Sequence, residues 1–352
     1  MRAFVIVALG ACSSPTPAPP PPTRQVEPKD AHVVKEQRRW LAGDFHMHVA
    51  PPDSDDVTAS ITDIERAAKT AGMDFIVLTP HLWAGEWQGN RPWWRGEWTK
   101  LARKARATQG LTMIPGTEWT TPVGHFTVVG ADLAALDGTD FLGAAKAAGA
   151  YISANHPFAE PSHIPNVRIS DFNLSYRVWS EHAEGFTAID GAEVFNVPLA
   201  FGNLVSRPGG RSGEERAWTE LDRVVHDEHR RMNAIGGSDD HHGVAQATTW
   251  VLADDASEGA ILAALRAGRT CVGGPEAGSF RAHGDDDAWV TIGGTVTGKT
   301  ITLAWDGTAH VFVDDQDRGE LDGGYVDHPD DKVHTYRIVR GRSRCGFIYA
   351  NL

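Results

Sequence analysis

From Leu41 to Ala267 the chain alternates two kinds of hydrophobic pattern. In Leu41 to His48, Phe45 and Met47 interleave with His46 and His48, the period of two that a strand imposes on its faces. Ile61, Ile64, Ala67 and Ala68 then recur at helical spacing, with Ser60 as cap and Gly72 as stop. Phe75 to Leu78 is apolar throughout, as expected of a strand covered on both faces, and runs into Thr79-Pro80-His81. The pattern next predicts a helix from Glu97 to Thr108, strands at Leu111–Trp119 and Gly124–Val129, and a helix from Leu142 to Ala148. Strands follow at Tyr151–Pro157 and Phe186–Asn196, then a helix from Glu214 to Arg231 leading to Met232–His241. A strand at Thr248–Leu252 and a helix from Glu258 to Ala267 complete the series.

Strand–helix units of this size imply a parallel sheet, open or closed into a barrel, with its chemistry at the C-terminal strand ends. After Trp289 the pattern changes. Short β-like runs at Val290–Ile292, Ile301–Trp305 and His310–Val313 alternate with Gly and Asp turns, which predicts a small all-β module. The expected organisation is a barrel over residues 39–283 and the module over 284–352.

Hydrophobic content of 41% and charged content of 22% are those of a globular protein. The net charge of -13 argues against a nucleic-acid partner, because binding to phosphates leans on Lys and Arg. Residues 1–11 read as an export signal: Arg2, then the apolar run Ala3–Ala11, too short to span a bilayer. Leu9-Gly10-Ala11-Cys12 resembles a bacterial lipobox, which makes Cys12 the lipidated first residue of a chain anchored in the cell envelope, on the periplasmic face of a membrane. Residues 12–38, with Pro15 to Pro22, read as an extended tether. Two further cysteines, Cys271 and Cys345, lie 74 positions apart, and the spacing leaves their pairing open.

The chemistry gathers in His46, His48, His81, Glu118, His125, His156, Asp239 and His241, all at or near predicted strand ends. One His-x-His pair is weak evidence. Six segments ending in imidazole or carboxylate, without cysteine, are a pattern for an open catalytic metal site holding two or three ions of zinc, manganese or iron. In their order these motifs resemble the polymerase and histidinol phosphatase (PHP) superfamily, in its carbaryl hydrolase-like branch, over roughly residues 42–275. The family's Thr-Asp-His motif reads Thr79-Pro80-His81 here, and its Ser-Asp-x-His motif is Ser238 to His241.

The resemblance implies a distorted (β/α)7, TIM-like PHP barrel with a trinuclear centre and the all-β module at its C-terminal side. It implies one metal on His46, His48, Glu118 and Asp239, with Glu118 bridging to a second on His125 and His156. Asp53, His81 and His241 would hold the third. Asp239, His241 and Glu193 are the candidate proton carriers, and Glu193 could instead orient a ligand.

The implied activity is hydrolysis of a small-molecule phosphoester by metal-activated hydroxide. A carboxyl or carbamate ester is the alternative substrate, and a non-catalytic, lipid-anchored binding module is the alternative from another class. Five tryptophans (Trp83, Trp87, Trp93, Trp94 and Trp98) fall within sixteen residues after His81 and read as a lid or apolar substrate wall, with a packing shell for the barrel rim as the alternative. Arg168, Arg177, Arg207 and Arg211 are possible anion clamps. His226, His229 and His334 read as having no part in the chemistry, and His242, next to His241 and facing away from it, as a supporting group or none.

Overall fold

The computed structural model describes residues 37–53, 57–121, 124–157, 189–197, 213–286 and 288–352. The signal, Cys12, most of the tether and the four arginines from Arg168 to Arg211 lie outside these residues. Among the described residues no helix is long and apolar enough to cross a membrane.

The first sheet is built on β1 (Arg39–Met47), which pairs in parallel with β2 (Phe75–Leu78) and antiparallel with β9 (Thr249–Ala253). The ten-residue strand β4 (Thr112–Thr121) pairs first with β2 and then, in parallel, with β3 (His81–Trp83). Pairing continues through β5 (Gly124–Val129), β6 (Tyr151–Ala154), β7 (Gly191–Asn196) and β8 (Asn233–Gly237). The return to β1 is a single bridge, Met47 to Asp240, with the main-chain bonds Asp239 N to His46 O (2.9 Å) and His48 N to Asp240 O (3.0 Å).

The protein is therefore a mixed α/β structure, richer in strands than expected, and its sheet is not closed by a continuous ladder. The uniformly parallel sheet is corrected as well. Strand β5 runs antiparallel to both neighbours and β9 runs antiparallel to β1. Hydrophobic periodicity reports which face is covered, not which way a neighbour runs.

Helix α1 (Ile61–Thr70) begins at Ser60, whose hydroxyl accepts Asp63 N while the Asp63 carboxylate accepts Ser60 N. The tryptophan segment is not a lid. It folds into α2 (Ala84–Gly89) and α3 (Arg91–Ala107), the latter starting six residues earlier than predicted because Pro92 suits a first turn. Trp87, Trp94 and Trp98 are fully or almost fully buried, and the indole N–H groups of Trp87 and Trp98 donate to Gly138 O and Gly116 O. Only Trp83 (41% exposed) and Trp93 (44% exposed) face solvent. Helices α4 (Phe141–Ala147), α5 (Gly213–Glu228) and α6 (Glu258–Arg266) lie within two or three residues of prediction.

The C-terminal strands join the first sheet through β10 (Thr270–Val272), which pairs with β9 and with β17 (Ser343–Cys345). Cys271 and Cys345 face each other across that pair and are disulfide-bonded. Two of the predicted runs, Ile301–Trp305 and His310–Val313, merge into one strand, β14 (Ile301–Val313), paired with β15 (Gln316–Asp327) and β16 (His334–Arg340). Strand β11 (Arg281–His283), just before the division expected at residue 284, pairs with β14 and with β12 (Val290–Thr291), while β13 (Thr295–Val296) pairs in parallel with β18 (Ile348–Ala350).

Candidate metal centre

Alternation along β1 sends Phe45 and Met47 into separate apolar clusters and leaves His46 and His48 on the other face, all four with no exposure. The two imidazoles approach to 3.2 Å between Nε2 atoms. Strand β4 presents Glu118 against them, in register with His81 of β3. Thr120, two residues on, is in register with His125 of β5. Glu118 is the hub: the nitrogens of His46, His48, His81, His125 and His156 all lie 2.8–3.6 Å from its carboxylate. Asp239, in the turn after β8, lies 3.4 Å from His46 Nε2 and 3.1 Å from His48 Nε2. His241 stacks on His48 with ring centroids 4.0 Å apart.

The expected set thus converges from β1, β3, β4, β5 and the turns after β6 and β8. His46, His48, Glu118, His125 and His156 form a buried floor, and the half-buried His81, Asp239 and His241 form the mouth. Four overlapping groups offer donor atoms within 4.8 Å of one another: His46, His48 and Glu118; His46, His156 and Asp239; Glu118, His125 and His156; His48, His81 and His241. Buried Nδ1 of His156 makes no hydrogen bond. Imidazole and carboxylate donors packed this closely, without thiolates, suit zinc, manganese or iron.

Two expected members take other places. Asp53 belongs to none of the four groups. One of its oxygens lies 3.1 Å from His48 Nδ1 and the other accepts His81 N at 2.8 Å, so it braces two histidines. Glu193 is buried with both oxygens engaged, the geometry of a group that orients a ligand. Oε1 lies 2.8 Å from His46 Nδ1, and Oε2 accepts His156 N at 2.6 Å and Asn196 Nδ2 at 3.1 Å. A Cβ at Gly237 would run into both Glu193 and His46, so the close approach of β8 requires glycine there.

Three supporting groups escaped the sequence reading. Asn155 donates to Glu118 Oε1 at 2.8 Å and accepts Thr127 N through Oδ1. Asp44 accepts His46 N and Ser238 N, tying β1 to the turn that carries Asp239. Ser238 donates to His46 O and accepts Asp240 N. Asn155 adjoins His156, Asp44 lies two residues before His46, and Ser238 opens the Ser-Asp-x-His motif, the hints that the chain itself offered. Two site residues hold left-handed backbone without being glycine, His156 at φ 30° and Asp239 at φ 54°. Such conformations cost of order 1–3 kcal/mol and persist where the surroundings impose them.

The charges explain the site's appetite for cations. Burial opposes protonation of His46, but Glu193, Glu118 and Asp239 overcome it and hold its pKa well above the ordinary value. Burial likewise opposes the charged form of His48, yet bonds to Asp239 and Asp53 raise it to about 10. Glu118, despite its burial, is held well below the usual range by His125 and His46. Burial alone pushes Asp44 up to about 7 against its hydrogen bonds. The field that keeps protons on these rings is the one a divalent cation would occupy, displacing them.

No protein-family model matches the chain, and no curated protein matches it. Among solved structures, a two-domain protein of Bacteroides vulgatus containing a predicted PHP-like metal-dependent phosphoesterase matches at 20% identity and a TM-score of 0.41, over 89% of this chain and 88% of its own. The lesion-specific endonuclease Q of Pyrococcus furiosus matches at 13% identity and a TM-score of 0.40, over 72% of this chain and 64% of its own. PsfC of Pseudomonas syringae matches at 17% identity and a TM-score of 0.38, over 61% of this chain and 82% of its own. Overlaps this loose leave the function to be read from the site itself.

Proposed function

We propose that the chain is a metal-dependent hydrolase of ester bonds, of the PHP type and its carbaryl hydrolase-like branch, acting on a small-molecule phosphoester. One observation carries the reading: a single buried carboxylate, Glu118, ringed by five imidazoles at 2.8–3.6 Å. A surface or core histidine normally satisfies itself with one partner; five sharing one acceptor are a ligand set.

His46, His48, Glu118 and Asp239 would hold one cation, and His125 and His156, with Glu118, would hold a second. His81 and His241 belong to a third, with Asp53 bracing the histidines instead of binding the ion. Bound cations supply Lewis acidity, toward water and toward the oxygens of the ester. Glu193 fixes His46 in one tautomer through Nδ1, as buried carboxylates do for ligating histidines. Asp239 and His241, at the mouth, are the groups placed to hold or move a proton to and from solvent. The net charge of -13 favours a small substrate over a polyanion, and Cys12 anchors the exported chain in the envelope.

A carboxyl or carbamate ester is the second reading. Trp83, 41% exposed, stands with its ring 5.3 Å from that of His81 and offers an apolar wall to an aryl group. Purified protein loaded in turn with manganese, zinc and iron, and assayed on aryl phosphates, phosphodiesters and aryl esters, separates the readings. Metal-dependent phosphoester turnover that Glu118→Gln abolishes is the expected result. Turnover of carboxyl esters alone supports the second reading, and none with any metal overturns the enzyme in favour of a binding module.

A further inference from the structure

Away from the centre, α5 meets the turn between β14 and β15. Asp222 and His226 lie one turn apart on the helix and so share a face. Asp314, in the turn at φ 51°, closes against them. His226 Nε2 sits 3.4 Å from Asp222 Oδ2 and 3.2 Å from Asp314 Oδ1. That nitrogen is shut off from solvent and hydrogen-bonds to neither oxygen.

From this arrangement we infer that Asp222, His226 and Asp314 form a second metal site, independent of the Glu118 centre, that clips the C-terminal strands to α5. The three donor atoms lie within 4.8 Å of one another. The imidazole nitrogen lies 3.2–3.4 Å from each carboxylate oxygen, the separation of neighbouring ligands around one small cation. A His/Asp/Asp set suits a zinc-like or manganese-like ion with water completing its shell, and is poor for calcium, which prefers oxygen throughout.

The donors are braced from behind, as ligands are. Thr335 donates through Oγ1 to Asp222 Oδ1 and through its main-chain N to Asp314 Oδ1 at 3.0 Å. His334 Nδ1 lies 2.7 Å from Asp314 Oδ2, and its Nε2 lies 3.0 Å from Asp330. Arg337, beside the cluster, bonds Asp315, which also accepts the Thr219 hydroxyl, and its charge is felt at Asp222 without a hydrogen bond to it. The site shares no residue with the centre, so cation loss here loosens the joint between α5 and β16 and leaves the chemistry in place.

The test is anomalous diffraction at the zinc edge from crystals of the full chain grown with zinc, together with metal counts on wild type, His226→Ala, Asp314→Asn and Glu118→Gln. A peak bordered by Asp222, His226 and Asp314 is expected. His226→Ala and Asp314→Asn should each lose one zinc equivalent per chain and part of the zinc-induced rise in melting temperature, with basal turnover unchanged. Glu118→Gln should keep the peak, which separates this site from the fate of the hydrolase reading. Absence of the peak in wild-type crystals overturns the inference whether or not any variant folds, and so do equal zinc counts in wild type and a folded His226→Ala.

Discussion

Glu193→Gln separates bracing from proton transfer. In the wild type every group near the Glu193 carboxylate is a donor or a potential donor: His46 Nδ1 at 2.8 Å, His156 N at 2.6 Å and Asn196 Nδ2 at 3.1 Å. A glutamine must turn its NH2 toward one of them, so at least one charge-assisted bond is lost and one donor meets another. Such a bond contributes about 1.5–3 kcal/mol, and each 1.4 kcal/mol is about tenfold in affinity. The variant should therefore bind metal about 10–100-fold more weakly, the usual cost of losing a group that orients a ligand. Calorimetric metal titration and turnover against metal concentration measure this. Activity should return toward the wild-type kcat as metal saturates, with the shape of the pH–rate profile unchanged. Unchanged metal affinity, with kcat at saturation down about 100-fold or more and one limb of the pH profile missing, refutes the reasoning and makes Glu193 a proton carrier.

Trp94→Ala should destabilise the fold by about 3–5 kcal/mol in urea titration, whereas Trp83→Ala should leave stability intact and raise KM for aryl substrates; the reverse pattern would restore the lid. Asp222, raised by burial to about 6, binds a proton in the folded state between roughly pH 4, its unfolded value, and pH 6, so it makes chelated protein less stable as pH rises through that window. Asp222→Asn should remove that loss, at most about 3 kcal/mol, seen as a melting-temperature difference between variant and wild type that grows from pH 4 to 6 and then levels off. Replacing Cys271 and Cys345 by serine, which opens a crosslink spanning 74 positions, should cost about 4 kcal/mol; a reductant should have no further effect on the variant's melting.

The parts of the site that period and motif can carry were legible in the chain. His46 and His48 share a face because a strand alternates, and His125 and His156 sit at or just past strand ends that apolar runs delimit, while Glu118 lies inside β4. What the sequence hid depends on which strands become neighbours. Asp53 reads as a ligand, and Glu193 stays open between proton carrier and orienting group, because type and order give no sign of which oxygens other donors consume. The contact that brings His226 and His334 beside Asp222 and Asp314 arises only where α5 meets the β14–β15 turn in the folded chain. The tryptophans misled for a local reason. Trp87, Trp94 and Trp98 follow helical spacing, but Gly85, Gly89 and Gly96 among them resemble a loop. The disulfide and the antiparallel placing of β9 are likewise facts of pairing, which no periodicity encodes.

Metal-edge anomalous diffraction from crystals of protein purified with manganese, zinc or iron tests the main claim most directly. Two or three peaks are predicted in the cavity floored by Glu118, at about 2.0–2.3 Å from His and carboxylate atoms, with at least one ion sharing Glu118 and His46. Crystals with no anomalous density beside Glu118, its five histidines satisfied by protons and water instead, would contradict it.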